Sequence, residues 1–459
     1  MIIETQQNFS HICEKIQNND SIVIPVLSDI TKHSLNNRVH LVYIHTLIDS
    51  KDYMIPFTGE DSLLNFDIDL FDLSGDAKTY VFDSKIIYNL FQCKNIKDVN
   101  LINYFVNNSS LDVSKCVTSA HIYYQSKYWK YRNINEYIPI LKHYEMCKNI
   151  KDLMLPFIKN DDSLQYTEYT NLIQNFSTIE KNGLHIDSTS FEKTFKGGDS
   201  YNVCNDKIFT EYNIYTTTGR PSNRHGGINF AALNKDDNTR SIFTSRYENG
   251  KLIEFDFDAY HLRLIADIIG YEFPDSSVHK YLARQYFKKD NVSDDEYKKS
   301  KEMSFRVLYG GVPDNLSGIE YFNMIRKFIN ILWDDYKRNG YIETPIFNRR
   351  LYSNNYEDIN KNKLFNYYVQ ATETENNSKV ITKLLDLQKS NNVNLILSTY
   401  DSFLFDCENI DEKLINDMKQ CFNHPVSINY GKTYQDMKNF TSEVISWYLY
   451  CKGIAYEHR

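Results

Sequence analysis

The densest apolar patterning lies near the N-terminus. Three short runs, SIVIPVL from position 21, RVHLVYIHTLI from 38 and KDYMIPF from 51, are rich in β-branched residues and separated by polar turns such as KHSLNNR, which predicts a small meander. The run at 39–48 is interrupted by His40, His45 and Thr46 and reads as a buried strand; no stretch approaches the roughly eighteen apolar residues of a membrane span. Helical spacing then takes over. Residues 83–105 hold two helix-period segments, and 133–158 continue helical with Tyr137, Leu141, Tyr144 and Cys147 on one stripe. An α/β or α+β unit is expected to end near residue 158, at the polar stretch KNDDS (159–163). A helix over 169–180 that stops at Asn182-Gly183 follows, and FKGGDSYNVCND (195–206) reads as loop.

The chemistry-bearing segments come later. KLIEFDFDAYHLRLIADIIG begins as a strand over 251–257 and switches to helical spacing at Leu262, Ile265, Ala266 and Ile269. Asp258 is placed to cap that helix, and Asp256 sits at the strand end, where a carboxylate can face a cleft. Taken alone, the two also read as a surface Asp beside a capping one. NLILSTYDSFLFD holds two strands meeting at Tyr400-Asp401-Ser402, with Asp401 at a hairpin tip where Asp is a common turn former. In DDEYKKSKEMSFRVLYGG, Lys301, Phe305 and Tyr309 share one face of a helix that ends at Gly310-Gly311. A cation and two aromatics suit a triphosphate and a base; a core stripe with a snorkelling Lys is the alternative.

These three segments, in this order, resemble motifs A, B and C of the family A DNA polymerases, the bacterial repair and phage replicative group. TTTGRPSNRHGGINFAALN (216–234), TRSIF (239–243), SVHKYLARQYF (277–287), GYIETPIFNRR (340–350) and NYYVQATET (366–374) resemble further elements of that family in the correct order. The resemblance implies a multidomain α/β and α+β chain. An RNase H-like, 3′-5′ exonuclease-like domain would occupy 1–158 and a reduced thumb or connector 159–211. A right-hand palm and fingers would occupy 212–459, with the fingers at about 267–335. It implies template-directed transfer of nucleotides from dNTPs to a primer 3′-OH. Asp256 and Asp401 would be the catalytic carboxylates holding two Mg²⁺ ions. Lys301, Phe305 and Tyr309 would meet the incoming nucleotide, with Lys298, His261, Arg240 and His279 as further nucleotide contacts. Arg220, Asn229, Asn366, Gln370, Arg349 and Arg350 would contact primer-template DNA.

Several positions depart from the family. The gate residue that excludes ribose is His261 instead of Glu, Tyr297, Ser304 and Arg306 replace the usual Arg, Asn and Gly, and Ser402 replaces the carboxylate beside Asp401. Only 32 residues separate Asp187 from Arg220, where relatives carry a long thumb hairpin, so distributive synthesis or a processivity partner is expected. In the N-terminal third Asp98 matches one exonuclease carboxylate. Ile87 and Leu141 stand where others belong, and the Asp-x-Glu start is at best Asp29-Ile30-Thr31, which implies a domain without proofreading. His261 keeps a single-subunit RNA polymerase-like specificity open, and a non-enzymatic nucleic-acid-binding relative is the other alternative.

Composition sets the remaining bounds. With 42% hydrophobic and 24% charged residues over 459 positions, the chain has ample material for packed cores. Its net charge of -8 argues against a surface that tracks a polyanion everywhere and leaves local basic patches open, and its eight cysteines show no C-x-x-C spacing for zinc or a disulfide framework. A reduced cytosol, the host's if the protein is viral, is the expected location.

Overall fold

The computed structural model describes residues 1–440 except 31, 60–65, 129, 132, 160–161, 196–202, 224–227, 235 and 275–276, and excepting the side chains at 223, 309 and 315. Most of the expected loop at 195–206 therefore lies outside the described residues. The chain forms two compact units, one of residues 1–215 and 223–229, the other of 216–222 and 230–459. Residues 159–211, expected as a connector, fall within the first.

The first unit is built on a five-stranded sheet of β1 (Ser21–Leu27), β2 (Val39–Thr46), β3 (Lys51–Pro56), β4 (Thr79–Val81) and β5 (Ile96–Asp98), in the order β3-β2-β1-β4-β5. The first three strands make the expected antiparallel meander, and β4 and β5 add in parallel. All eight residues of β2 are buried, because helices cover both faces of the sheet. Phe9, Ile12 and Ile16 of α1 (Gln6–Asn18) pack on one face with Val23, Val42, Ile44 and Val81. On the other face Ile22, Leu41, Tyr43 and Tyr80 meet Val99 of α3 (Val99–Asn107) and Cys147 and Met154 of α5 (Ile140–Met154). Between these lie α2 (Ser84–Leu90) and α4 (Ser119–Lys127).

The stripe expected over 133–158 is displaced. Pro139 separates a 3₁₀ turn at Ile134–Tyr137 from α5, so Tyr137 and Leu141 are exposed, and Ile140, His143, Cys147, Lys151 and Met154 form the buried face. The helix α6 (Leu164–Asn182) ends as expected, with Gly183 at φ +59°. Its Glu180 is fully buried and accepts from Lys85 Nζ at 2.7 Å and the Tyr212 amide at 2.6 Å, with His33 Nε2 at 3.1 Å. A buried charge is tolerable only with this kind of saturation.

His40, His121 and His143 form a second buried polar group, with His121 Nε2 3.3 Å from His143 Nδ1 and His143 Nε2 2.9 Å from the Asn135 carbonyl oxygen. Burial is the main force pushing the His143 imidazole down to about 3, with the two neighbouring rings adding to it. The unfolded chain would bind a proton near pH 6.5 that the folded chain refuses, so the stability this group contributes is complete above about 6.5 and falls as pH drops toward 3, at about 1.4 kcal/mol per pH unit. Thermal melts from pH 7.5 to 4.5 are expected to show this loss, and His143→Gln to flatten it.

The second unit carries an antiparallel five-stranded sheet. Its strands are β6 (Lys251–Phe257), β9 (Val393–Thr399), β10 (Ser402–Cys407), β11 (Val426–Gly431) and β12 (Lys438–Asn439), ordered β9-β10-β6-β11-β12. A small hairpin, β7 (Tyr341–Glu343) with β8 (Arg350–Tyr352), stands apart. Helices α7 (Tyr260–Ile269), α8 (Val278–Phe287), α9 (Asp294–Gly310), α10 (Glu320–Asn339) and α11 (Lys361–Gln388) share one apolar core, and α12 (Glu412–Gln420) lies against α11. A capping box of Ser293 and Glu296 starts α9, and Gly311 at φ +93° stops it where expected.

Candidate active site

The central strand β6 places the first expected carboxylate. Its alternating burial leaves Asp256 half-buried at the strand end, opposite Ser402 of β10 on one side and Ser427 of β11 on the other. The second carboxylate lies at the β9–β10 turn, closed by Tyr400 and Asp401, and the left-handed φ of +59° at Tyr400 makes the turn tight. Two hydrogen bonds fix that turn: the Phe257 amide donates to the Asp401 carbonyl at 3.0 Å, and Asn377 Nδ2 donates to the Tyr400 carbonyl at 2.6 Å. The two aspartates thus leave adjacent antiparallel strands one register position apart.

The surroundings are strongly polar. Burial raises the Asp401 carboxyl above its usual range, and Glu373 repels its charge further, while its own backbone amide, His261 and Arg220 pull the other way. Glu373, itself 1% exposed, stands 3.0 Å from Arg220 Nε and 3.2 Å from His261 Nε2. The Arg220 guanidinium lies 3.7 Å from the Tyr400 ring centroid. Glu254, two positions before Asp256 on the same face of β6, accepts from Ser402 Oγ and Tyr434 OH at 3.0 Å each. Ser402, which stands where the resemblance led a second carboxylate to be expected, is therefore bound to a carboxylate on the neighbouring strand. Among the described residues no group of three or more His, Cys, Asp or Glu is arranged to hold a metal ion.

No family model matches the sequence, and no curated protein matches it. Among solved structures the chain is similar to the POL domain of Pol1 from M. smegmatis in complex with DNA primer-template and dNTP, with a TM-score of 0.67 and 12% identity, over 95% of this chain and 99% of that one. The chain has the fold of a polymerase domain. Within this polymerase fold the helix α9 carries Lys301 half-buried, its Nζ 4.8 Å from the Tyr297 ring centroid, with Phe305 47% exposed one turn on and Lys298 exposed. The side chain of Tyr309 lies outside the described residues.

Other expected contacts are placed differently. Asp258 does not cap α7, whose cap is Ala259 at φ +50°; it receives Arg263 Nη2 at 2.9 Å instead. Arg349 is buried at 1% exposure with Nη2 3.4 Å from the Thr217 carbonyl, so its guanidinium serves the protein interior and is not available to DNA. Arg350 is exposed, paired to Glu343 at 2.8 Å and stacked over Tyr341. Arg240 donates to the Leu233 carbonyl and lies 4.6 Å from the Tyr434 ring centroid, which is a structural commitment. His279 is buried, and its imidazole is pushed down to about 4, first by burial and then by Lys301, so at neutral pH it offers no positive charge to a phosphate. Gln370 accepts from Thr218 Oγ1 at 3.3 Å, and Asn366, one turn before it, is half-buried. Asn229 is exposed and belongs to the first unit.

The residues that sequence reading missed lie on α11. Seven consecutive polar residues, Thr372 to Ser378, are buried. Such a run looks like a solvated helix face, yet it makes specific partners: Glu375 accepts from Thr344 Oγ1 at 2.5 Å and the Phe347 amide at 3.0 Å, and Tyr260 OH bonds Asn377 at 2.6 Å and Asn376 at 2.9 Å. This network joins the first turn of α7 to the Asp401 turn. The only signal in the sequence is its density of Thr, Glu and Asn inside a helix, where each competes with the backbone for hydrogen bonds.

Proposed function

We propose that the chain is a template-directed DNA polymerase whose palm is the sheet carrying Asp256 and Asp401 and whose fingers include α9. The reading rests above all on one observation: the turn bearing Asp401 is hydrogen-bonded to the end of the strand bearing Asp256. Two aspartates on neighbouring strands, one register position apart, offer the oxygen donors that hard divalent cations require. Mg²⁺ is commonly held by one or two carboxylates, with waters and substrate phosphates completing the shell, so two aspartates suffice. When bound, two such ions supply charge neutralisation on the triphosphate and a lowered pKa for the primer 3′-OH.

The chain's own residues bind and orient. Lys301 pairs with the triphosphate and Phe305 stacks on the base. Arg220 and Gln370 face the primer terminus. His261, held by Glu373, borders the sugar. The short stretch between Asp187 and Arg220 makes synthesis distributive unless a partner supplies grip on the duplex. A single-subunit RNA polymerase-like specificity is the rival reading, and incorporation of rNTPs in place of dNTPs on the same template would favour it.

The first unit is read as an exonuclease-like scaffold without proofreading. Asp98 is 1% exposed and fully engaged: it caps α3 through the Leu101 amide at 3.0 Å and accepts from the Ser84 amide at 2.9 Å and Ser84 Oγ at 2.6 Å. Burial and the nearby Asp83 raise its carboxyl to about 6. Ile87 is buried and Leu141 is exposed at the other two matched positions, so no second carboxylate accompanies it there. The test is extension of a labelled primer on four templates differing only in the templating base. The complementary dNTP alone should be added, and a mismatched primer end should persist without dNTPs. Untemplated addition, or no addition, contradicts the polymerase reading; removal of the mismatch contradicts the scaffold reading.

A further inference from the structure

The first unit carries an exposed aromatic surface that the polymerase reading does not use. On α4 and the turn that follows, Tyr123, Tyr124, Tyr128, Tyr131 and Tyr137 form a continuous chain of ring contacts. Successive centroids are 5.4 Å (Tyr123–Tyr124), 6.3 Å (Tyr124–Tyr128), 5.9 Å (Tyr128–Tyr131) and 5.3 Å (Tyr131–Tyr137), and Tyr128 stacks on Tyr137 at 5.1 Å. These rings are not core. Tyr123, Tyr131 and Tyr137 are 60%, 55% and 45% exposed, and keeping such rings in water is costly without an occupant.

The charge around them is one-sided. Residues 113–135 contain no Asp or Glu; of their lysines, Lys115 is matched by Asp112 at 3.6 Å, while Lys127 and Lys130 are exposed beside the rings, in a chain whose net charge is -8. Glu136, the first acid beyond, is held by both Nε and Nη2 of Arg38 at 2.8 Å, so its charge is already matched. Lys127 lies 5.0 Å from the Tyr128 ring centroid, which sets a cation beside the ring ladder. Trp129 and Arg132 lie outside the described residues.

We propose that this surface binds single-stranded nucleic acid, its bases stacking on the exposed rings and its phosphates meeting the lysines. Every base has a π-face, so rings interleaved with cations bind without reading sequence, and each stacked base is worth roughly 1–3 kcal/mol by alanine substitution. A purely apolar peptide partner would gain nothing from the surplus of positive charge, and an acidic one would leave the rings underused. The site is independent of the two palm carboxylates. On a chain with a reduced thumb it would hold single-stranded template and so substitute in part for lost duplex grip, a role that alone depends on the polymerase reading.

The test is anisotropy of fluorescein-labelled oligo(dT) and oligo(rU), of about sixteen nucleotides, with the full chain. Both should bind, more tightly than a blunt duplex of equal length. The pair Tyr131→Ala with Tyr137→Ala should weaken oligo(dT) by at least about tenfold, and the corresponding Phe pair should retain binding, because the ring and not the hydroxyl stacks. Lys127→Ala should lower the salt dependence, by about 0.7 in the log–log slope. Asp401→Asn should bind oligo(dT) as the unaltered chain does, which separates this site from the palm. Equal affinity in the alanine pair, a duplex preference, or loss of binding in Asp401→Asn overturns the proposal.

Discussion

Asp401→Asn and Asp256→Asn are each expected to lower primer extension by at least about 10³-fold while leaving the fold intact, since metal-assisted charge stabilisation is worth several kcal/mol. Asp401 stands at its hairpin tip, and its carbonyl, not its carboxylate, bonds the Phe257 amide, so Asn keeps the turn. Asp256 is half-buried on a strand whose pairing runs through the backbone. Neither change opens a cavity. Thermal melts should therefore stay within a few degrees of the unaltered chain, and single-turnover extension is the measurement that checks the loss. A large fall in melting temperature would mean that the aspartates are structural.

Glu373→Ala is expected to have the second-largest effect, and through a different cause. Its carboxylate sits between Arg220 and His261, whose side chains are 27% and 11% exposed, and removing it leaves Arg220 beside a void without its counter-charge. Breaking such a buried pair costs about 3 kcal/mol, or roughly 6–12 °C in the melting of a unit this size. Function should change as well. Arg220 would lose its anchor over the Tyr400 ring and His261 its fixed position, so discrimination between dNTP and rNTP should fall. The ionised form of Asp401 would meanwhile become easier to reach, because Glu373 is one of the groups raising its carboxyl. Glu373→Gln, which keeps the volume and one acceptor, should restore most of the stability and part of the discrimination. Unchanged melting and an unchanged dNTP to rNTP ratio in the alanine variant would refute this role.

The sequence made the scaffold of the site legible because strand and helix periodicities report directly on burial. The switch from strand to helix after residue 257, the hairpin at 400–401, the helix ending at Gly310-Gly311 and the stop at Gly183 all stand where local spacing and turn chemistry put them. The misses share a physical cause. Asp258 has the chemistry of a cap, but Ala259, in a left-handed conformation, takes the cap position, and Asp258 pairs with Arg263. Arg349 looks like a phosphate ligand, yet the β7–β8 hairpin folds it under Thr217. The polar run of α11 looks solvated and is buried, since Glu373, Glu375 and Asn377 find partners more than twenty residues away in sequence. Long-range saturation of polar groups leaves no periodic trace. Tertiary pairing alone reveals it.

The claim that Asp256 and Asp401 act together on divalent ions is tested most directly by counting them. Mn²⁺ bound to the full chain, with primer-template DNA and a non-hydrolysable dNTP, can be titrated by electron paramagnetic resonance. The account predicts two ions per chain, with weakened binding in Asp256→Asn and in Asp401→Asn alike. Two ions bound with unchanged affinity in either variant would contradict it.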